Sequence, residues 1–298
     1  MILHNERALL VIANGRGPAR ALDRAVRELR RLGFEPDVVR TTGPGHATSA
    51  ARDAVRAGGR LVVAAGGDGT VHEVANGLLA DGHGADTVLG VLPMGSGSDF
   101  VRSFGIPRTP VRAARRLADG EVRRIDVGLI RFDSGESRYF VNIAEAGLGG
   151  AVVARAARLP RFLGPGRYLA AFCLVLPRFE TGRTRVAAGD DRTDRRTLNV
   201  VIANCRYYGG GMRISPKSAP DDGMLDILVM TGPKRSACAT MPRVFLGRYL
   251  PHPHVTEMRG NTIRIDGDAP YLVEADGELL GPIPATFEVL PGALRLRA

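Results

Sequence analysis

Along the first part of the chain, short apolar runs alternate with segments whose apolar residues recur every three or four positions. The runs 8–13, 61–65 and 88–92 are typical of strands buried on both faces, and the periodic segments between them are typical of amphipathic helices. Strands that alternate with helices favour a parallel, doubly wound sheet. Because ligands bind at the carboxyl ends of the strands in such a sheet, the loops after the strands are the first candidates for a site.

From about Val122 the pattern changes to short apolar runs separated by Gly, Pro and Asp turns. This pattern favours an antiparallel β-sandwich. The segment 166–177 is predicted as a helix within it, and the arginine-rich segment 183–196 is left open as a solvated hairpin or a loop. We therefore predict an α/β N-terminal domain over 1–125, a β-sandwich domain over 126–284 and a C-terminal segment over 285–298.

One stretch joins a buried strand to a glycine turn and a helix start. The apolar run 61–65 is followed by Gly66-Gly67-Asp68-Gly69, and Thr70 has Glu73 three residues later, which is the spacing of a capping box. Backbone N–H groups at a helix N-terminus bind anions, and glycine lets a phosphate approach the backbone closely. The stretch predicts a nucleotide phosphate site in which Asp68 reaches a metal ion. A tight turn without a ligand is the alternative.

Other loops are predicted at the same edge of the sheet. The segment 93–100 is a second loop of glycine and hydroxyl residues, and it follows the strand at 88–92. Asn14 and Thr41 also follow predicted strands. The carboxyl ends of parallel strands meet at one edge, so these loops converge with the glycine turn. Their convergence predicts a site there more strongly than any one loop does.

Charge and composition restrict the function classes. The net charge of +10 favours anionic partners: nucleic acid, phosphate ligands or an anionic membrane surface. No stretch interleaves basic with aromatic residues, so we expect no nucleic-acid partner. The first lysine is Lys217, so the glycine turn cannot be a Walker A loop, which places a lysine on the phosphates.

Nothing in the sequence predicts secretion or membrane insertion. No apolar run approaches the length of about 20 residues that spans a bilayer, and the N-terminus lacks a signal-peptide pattern. Three scattered cysteines fit neither a disulfide framework nor a zinc site. We therefore expect a cytoplasmic protein.

Taken together, the motifs resemble those of the diacylglycerol kinase catalytic family, which also holds sphingosine and ceramide kinases and soluble bacterial lipid kinases. The resemblance runs nearly end to end. It is carried by the segments 66–77, 93–100, 124–128, 140–149, 209–212, 221–226 and 276–278. The first motif is shared with NAD kinases and phosphofructokinases. Its combination with Asp-Asp-Gly-Met-Leu-Asp at 221–226 and Asp-Gly-Glu at 276–278 is specific.

The resemblance also implies roles for individual residues. The nucleotide contacts it implies are Thr41, Gly67, Asp68, Gly69, Thr70, Glu73 and Ser96. It implies that Asp276 is the general base, and that Asp222 with the carbonyls of Ala219 and Met224 holds a structural Mg²⁺ or Ca²⁺. Without the resemblance, Asp276 and Asp222 are equally typical of plain Asp-Gly turns. Glu278, two residues on and predicted on the same strand face, either supports Asp276 or is solvated.

The implied activity is transfer of the γ-phosphate of ATP, with Mg²⁺, to a hydroxyl of a diacylglycerol-like or sphingoid lipid in a cleft between the two domains. The implied partner is a lipid at a membrane surface, reached peripherally at its inner face, and the C-terminal segment is implied to return to the first domain. A homodimer is left open.

Two alternatives to the lipid kinase stay open. One is a small-molecule kinase like NAD kinase, against which the 221–226 and 276–278 motifs argue. The other is a non-catalytic lipid- or nucleotide-binding member of the fold. Its support is that His72 and Ser98 stand where the family usually has Asn.

Overall fold

A computed structural model of the chain describes residues 7–82, 86–95, 97–160, 163–164 and 166–298. The chain forms two compact units. The first unit comprises Met1–Ile125 and Gly292–Ala298, and the second comprises Asp126–Pro291. Among the helices that the structure describes, none combines the length and the hydrophobicity that a membrane crossing demands.

The first unit alternates strands with helices. Its elements are β1 (Ala8–Ala13), α1 (Ala19–Arg31), β2 (Glu35–Arg40), α2 (His46–Arg56), β3 (Leu61–Gly66), α3 (Asp68–Leu79), β4 (Val88–Pro93), α4 (Asp99–Ser103) and α5 (Pro110–Asp119). The strands lie in the order β2-β1-β3-β4, and every pair is parallel. β3 is buried along its whole length, as expected for a central strand with helices on both faces. The predicted α/β fold of this region is confirmed.

The helices of the first unit follow the apolar periodicity of the sequence. α1 buries the side chains Leu22, Ala25, Val26 and Leu29, which share one helix face. α5 begins with Pro110, whose missing N–H costs nothing at the first helical position, and it is followed by Gly120. Both helices are therefore held mainly by packing of one apolar stripe.

The second unit is built mainly from antiparallel strands. Its elements are β5 (Val122–Phe132), β6 (Ser137–Phe140), β7 (Ile143–Gly147), α6 (Leu148–Ala157), α7 (Gly166–Val175), β8 (Gly182–Ala188), β9 (Asp191–Thr197), β10 (Asn199–Ala203), β11 (Leu225–Met230), α8 (Lys234–Phe245), β12 (Val255–Gly260), β13 (Thr262–Gly267), β14 (Leu272–Ala275), β15 (Glu278–Pro282) and β16 (Ala285–Arg297). The segment 183–196, left open between hairpin and loop, is the β8–β9 hairpin.

Two sheets of the second unit enclose one core. One sheet has the order β12-β11-β10-β7-β14-β15, and the other contains β16-β13-β8-β9 with β5 and β6. Phe140, Val200, Ile227, Ile263 and Phe287 come from both sheets and are buried together. The predicted antiparallel β-sandwich is confirmed.

The last strand, β16, contributes to both units. Its first residues pair antiparallel with β13, as in the pair Ile265 and Ala285. Its last residues pair parallel with β4, as in the pair Leu296 and Leu89. Residues 285–291, which the sequence analysis expects in the C-terminal segment, therefore lie in the second unit, because their backbone completes the β13 ladder.

Candidate functional site

The glycine stretch forms a sharp turn from β3 into α3. Gly66 ends the strand, Gly67 precedes the helix, and Asp68 and Gly69 are its first two residues. No side chain in the described part of the chain caps this helix end. The first N–H groups of a helix have no partner within it, and the helix dipole makes this end positive. The turn therefore has the backbone geometry that suits an anion, and the contacts of Gly67, Gly69 and Thr70 with a nucleotide stay predictions.

The predicted capping box is wrong. Thr70 is the third residue of α3, and its N–H donates to the Gly67 carbonyl at 2.9 Å. Glu73 does not turn back to Thr70: its Oε2 accepts the N–H of Ala47 at 3.1 Å. The carbonyl of Glu73 accepts the Thr48 hydroxyl at 3.0 Å. Glu73 therefore caps the start of α2, which packs beside α3, and its contact with a nucleotide stays a prediction.

The loop after β4 lies directly against the glycine turn. The N–H groups of Met94 and Gly95 both donate to the Gly66 carbonyl, at 2.7 and 3.2 Å. A Cβ atom on Gly95 would lie only 2.4 Å from the Cα of Gly67, so the two backbones touch where no other residue fits. The two loops therefore form one continuous backbone surface at the carboxyl edge of the sheet. Ser96, predicted to contact ATP, lies outside the described residues.

Asp68 links the two loops through its side chain. Its Oδ1 accepts the N–H of Phe100, in the first turn of α4, at 3.0 Å. Just before α4, Ser98 has a left-handed backbone with φ of 55°, and its hydroxyl donates to the Gly95 carbonyl at 3.1 Å. Asn adopts this conformation more readily than Ser, which gives a physical reason for the usual family residue at this position.

Thr41 joins the same edge of the sheet. Its N–H donates to the carbonyl of Ala13, the last residue of β1, and its hydroxyl accepts the N–H of Gly15 at 3.1 Å. His72, by contrast, is buried inside the first unit, with its Nε2 3.3 Å from the amide nitrogen of Asn76. Thr41 therefore lies at the predicted edge of the sheet. His72 is instead a buried residue whose ring contacts Asn76 within α3.

Asp276 lies in the second unit, in the two-residue turn between β14 and β15. Asp276 and Gly277 have φ angles of 51° and 88°, and two positive values are typical of a type I′ hairpin turn. The Asp276 carboxylate accepts three backbone N–H groups from residues 141–143, at 2.8, 3.0 and 3.1 Å. Asp276 is therefore a turn residue whose carboxylate holds the chain that leads into β7. Its role as general base stays a prediction.

Glu278 is not on the strand that was predicted. It is the first residue of β15 and pairs with Ala275, the last residue of β14. The turn separates it from Asp276, so the prediction that both lie on one face of one strand is wrong. Its side chain is half-buried. Because Glu278 lies one residue beyond the turn, it is the second acidic candidate for contact with an acceptor hydroxyl.

Two further carboxyl groups are buried beside this hairpin, and the sequence analysis missed them. Glu145 of β7 and Glu274 of β14 are partners in the antiparallel ladder, and they hydrogen bond to each other. Glu145 accepts the side-chain amide of Asn199 at 3.0 Å and bonds the Tyr208 hydroxyl. Glu274 accepts the N–H of Gly277 at 3.0 Å.

Burial determines the protonation of this carboxyl pair. It raises the pKa of Glu145 from 4.5 to about 7. Burial, reinforced by the charge of Glu145, raises the pKa of Glu274 well above its ordinary value. At neutral pH the pair therefore holds at least one proton between its oxygens. The available sequence signal was one acid within each of the apolar runs 143–147 and 272–275.

The predicted metal loop is already occupied by a cation from the protein. Asp222 accepts the N–H of Met224 at 3.1 Å and pairs with the guanidinium of Arg259 at 2.5 Å. Arg259 also pairs with Asp226 at 3.1 Å, and burial raises the pKa of Asp226. Within the described residues no cluster of three potential metal-ligating side chains is present. The predicted site includes the backbone carbonyls of Ala219 and Met224 and stays a prediction, and a metal there would have to compete with Arg259 for Asp222.

An apolar cavity of about 100 Å³ lies in the second unit. Phe172 of α7, Met241 of α8 and strand β10 contribute to its walls. Tyr208 and Asn199, which hydrogen bond to the buried carboxyl pair, also line it. The cavity therefore offers apolar walls with a few fixed polar groups, which is the usual character of a small-molecule site.

A parallel α/β sheet with two touching glycine loops, followed by an antiparallel sandwich, defines the class of this protein. The family model described as "Diacylglycerol kinase catalytic domain" matches residues 8–130. The model described as "YegS C-terminal NAD kinase beta sandwich-like domain" matches residues 142–298. The chain belongs to the diacylglycerol kinase and YegS-like lipid kinase family.

Individual relatives agree with this assignment along the whole chain. The chain is 33% identical over 293 residues to a diacylglycerol kinase of Mycobacterium tuberculosis, covering 95% of this chain and 91% of the relative. It is 28% identical over 272 residues to a diacylglycerol kinase of Bacillus subtilis, covering 89% and 86%. A crystal structure of a diacylglycerol kinase from Bacillus anthracis str. Sterne matches the fold with a TM-score of 0.73 at 22% identity, over 98% of this chain and 96% of the other.

Proposed function

We propose that this protein is an ATP-dependent lipid kinase that transfers the γ-phosphate to a hydroxyl of a diacylglycerol-like or sphingoid lipid. The observation that carries the proposal is the backbone contact between Gly67 and Gly95 at the N-terminus of α3. Such a surface of N–H groups binds phosphates. Membership of the lipid kinase family supports the choice of ATP as donor and of a lipid as acceptor.

In this proposal the first unit holds the nucleotide. The N–H groups at the start of α3 contact the terminal phosphates, and Thr41 contributes from the neighbouring loop. Asp68 stands at the same turn, and its carboxylate would help to hold the Mg²⁺ that accompanies ATP. The bound Mg²⁺ would neutralise charge on the phosphates. Because the turn contains no lysine, the helix dipole, arginine side chains and the metal must provide the remaining positive charge.

The second unit supplies the groups for the acceptor. The lipid hydroxyl oxygen attacks the γ-phosphorus, the bond to the β–γ bridging oxygen breaks, and ADP leaves. The hydroxyl proton passes to a carboxylate. Asp276 is the proposed acceptor of that proton, and its three backbone donors hold the carboxylate in one orientation. Glu278 is the nearby acid against which this role must be tested.

The apolar cavity in the second unit is the proposed site for part of the lipid. Its walls include the apolar side chains Phe172 of α7, Met230 of β11 and Met241 of α8, which suit an acyl or sphingoid chain. The family relationship and this cavity together favour a lipid over a soluble acceptor such as NAD. We propose that the substrate is taken from a membrane surface, to which the protein binds peripherally.

Turnover of radiolabelled ATP across a panel of diacylglycerol, sphingosine, ceramide and NAD tests the proposal. Wild type is compared with Asp276→Asn and Glu278→Gln, and the ATP-induced rise in melting temperature reports whether each variant still binds nucleotide. We expect label in a lipid and a loss of at least ~100-fold in Asp276→Asn, the size typical of removing an acid–base group.

The panel separates the alternatives. Label in NAD alone would identify a small-molecule kinase, and label in no acceptor together with normal ATP binding would identify a non-catalytic member of the fold. If Glu278→Gln abolishes turnover and Asp276→Asn does not, the general base is Glu278 and Asp276 has only a structural role.

A further inference from the structure

Exposed apolar side chains of this protein are concentrated on two neighbouring helices. Within the described part of the chain, seven large hydrophobic side chains are exposed, and four of them belong to α7 or to the end of α8. Leu169 and Leu174 of α7 are 64% and 43% exposed, and Phe245 and Leu246 at the end of α8 are 49% and 65% exposed. Scattered exposed hydrophobics are normal on a protein surface, whereas a concentration marks an interaction site.

Most of the exposed positions of each helix are apolar. On α7 the exposed positions at helical spacing are Leu169, Cys173 and Leu174. On α8 the exposed apolar positions are Cys238, Ala239, Pro242, Phe245 and, at its end, Leu246, and the exposed Arg235 and Arg243 lie among them. An ordinary surface helix presents charged or polar residues on this side. We therefore expect the exposed sides of these two helices to contact an apolar environment.

The two helices adjoin each other and share the apolar cavity. The Lys234 ammonium, at the start of α8, donates to the carbonyl of Pro177 just after α7, at 2.9 Å. Phe172 of α7 and Ala237 of α8 pack on the same small core cluster. Phe172 and Ala237 also line the cavity. An apolar molecule that reaches the outer face is thus adjacent to apolar space inside the second unit.

The charged residues that flank the two helices along the chain are basic. The segment 146–179, which contains α7, has no Asp or Glu and five Arg. The segment 227–256, which contains α8, also has no Asp or Glu and has three Arg and one Lys. Arg235, Arg243 and Arg248 are exposed beside the apolar positions of α8. Exposed apolar side chains on helices flanked along the chain by basic residues match the acyl region and the anionic headgroups of a membrane interface.

We infer that the outward face of α7 and α8 is a docking surface for an anionic lipid bilayer. The commitment to a bilayer follows from charge complementarity and from the apolar cavity that the same helices line. The inference rests on the peripheral membrane binding of the proposed function and assigns that binding to particular residues, and it can be tested without nucleotide. Leu169, Leu174, Phe245 and Leu246 enter the interface, and the neighbouring arginines contact the headgroups.

Cosedimentation with vesicles of phosphatidylcholine and phosphatidylglycerol in equal parts, without nucleotide, tests the inference. The variants are Phe245→Ser with Leu246→Ser, and Arg243→Glu with Arg248→Glu. Each basic residue near an anionic surface changes affinity about five-fold, so reversing both charges lowers binding at least ~25-fold. Removing both apolar side chains lowers it about ten-fold or more. Circular dichroism and melting temperature confirm that the variants fold.

Matched controls are available elsewhere on the chain. Val122, 40% exposed on β5, is changed to Ser as an apolar control, and the exposed Arg192 and Arg195 of β9 are changed to Glu as a charge control. We expect both controls to bind like wild type. Equal losses in the controls and the helix variants, or no binding of wild type to these vesicles, would overturn the inference.

Two further measurements distinguish docking to a bilayer from self-association of the chain and from the kinase proposal. If wild type does not bind vesicles and sedimentation shows self-association that Phe245→Ser with Leu246→Ser abolishes, the face joins two copies of the chain and the bilayer inference is wrong. Turnover of a dispersed short-chain diacylglycerol is measured in parallel. Turnover without vesicle binding overturns only the docking surface, and vesicle binding without turnover overturns only the kinase proposal.

Discussion

Replacing Glu145 by Gln should remove a large part of the pH dependence of stability. Burial raises the pKa of Glu145 from 4.5 to about 7. At about 1.36 kcal/mol for each pH unit, the folded state favours protonated Glu145 by roughly 3.4 kcal/mol. Because the folded pKa is raised, this stabilisation is fully present below about pH 4.5 and is lost as the pH rises through 7. Wild type therefore becomes less stable between pH 5 and pH 8.

Glu145→Gln keeps the shape of the side chain and cannot ionise. The side-chain oxygen of the glutamine still accepts the amide N–H of Asn199. Its amide N–H donates to Glu274 in place of the proton that Glu145 and Glu274 share. We expect the variant to match wild type within about 1 kcal/mol at pH 5. At pH 8 it should be more stable by roughly 2 to 3 kcal/mol, because wild type then holds a buried charge.

Urea unfolding followed by far-ultraviolet circular dichroism, at several pH values from 5 to 8, measures this effect; fluorescence is less suitable because the chain has no tryptophan. Glu136→Gln is the matched control, since Glu136 is exposed in the turn between β5 and β6. The control should keep the wild-type dependence. If the curves of wild type and Glu145→Gln run parallel over the whole range, Glu145 does not titrate there and the reasoning fails.

Three other substitutions test the site. Gly95→Ala places a Cβ 2.4 Å from the Cα of Gly67, so it should lower the free energy of unfolding by about 1 to 3 kcal/mol. It should also abolish the ATP-induced rise in melting temperature. An unchanged ATP-induced rise would refute the proposed phosphate surface. Asp276→Ala removes the hydrogen-bond acceptor of three backbone N–H groups and should lower the free energy of unfolding in urea by about 2 to 4 kcal/mol, more than Asp276→Asn does. Equal losses in the two variants would contradict the role of Asp276 as acceptor of these hydrogen bonds. Arg259→Gln releases Asp222, so millimolar Mg²⁺ should raise its melting temperature more than that of wild type, and equal shifts would argue against competition.

The sequence predicted the first unit well because its chemistry is local. The strand, the glycine turn and the helix start follow one another between 61 and 74, and each is visible in residue type and spacing. The capping box failed because Glu73 is used by a different helix, and the packing of α2 beside α3 is not a local property. Contact between Gly67 and Gly95 could not be predicted from spacing either, although the strand order made it plausible.

In the second unit the missed features depend on pairing between distant strands. Glu145 and Glu274 are 129 positions apart and meet only because β7 and β14 pair in that register. Arg259 reaches Asp222 in the same way, from β12 across to the loop before β11. Helix α8 was missed because Pro242 lies inside it and most of its exposed residues are apolar, which weakens the usual amphipathic pattern. Each failure concerns a partner that the local sequence does not contain.

The β14–β15 hairpin, which carries Asp276 at its turn, is held to β7 in two ways. Its rigidity can therefore be tested separately from its proposed role in catalysis. The Asp276 carboxylate binds the N–H groups of residues 141–143, and the Gly277 N–H binds Glu274, which in turn bonds Glu145. Ionisation of Glu145 near pH 7 places a charge beside Glu274, whose side chain accepts the Gly277 N–H. Hydrogen exchange of the Gly277 amide should therefore accelerate in wild type between pH 6 and pH 8 beyond the intrinsic rate increase, and it should follow the intrinsic rate alone in Glu145→Gln. Equal excess acceleration in both proteins would show that the carboxyl pair does not control the hairpin.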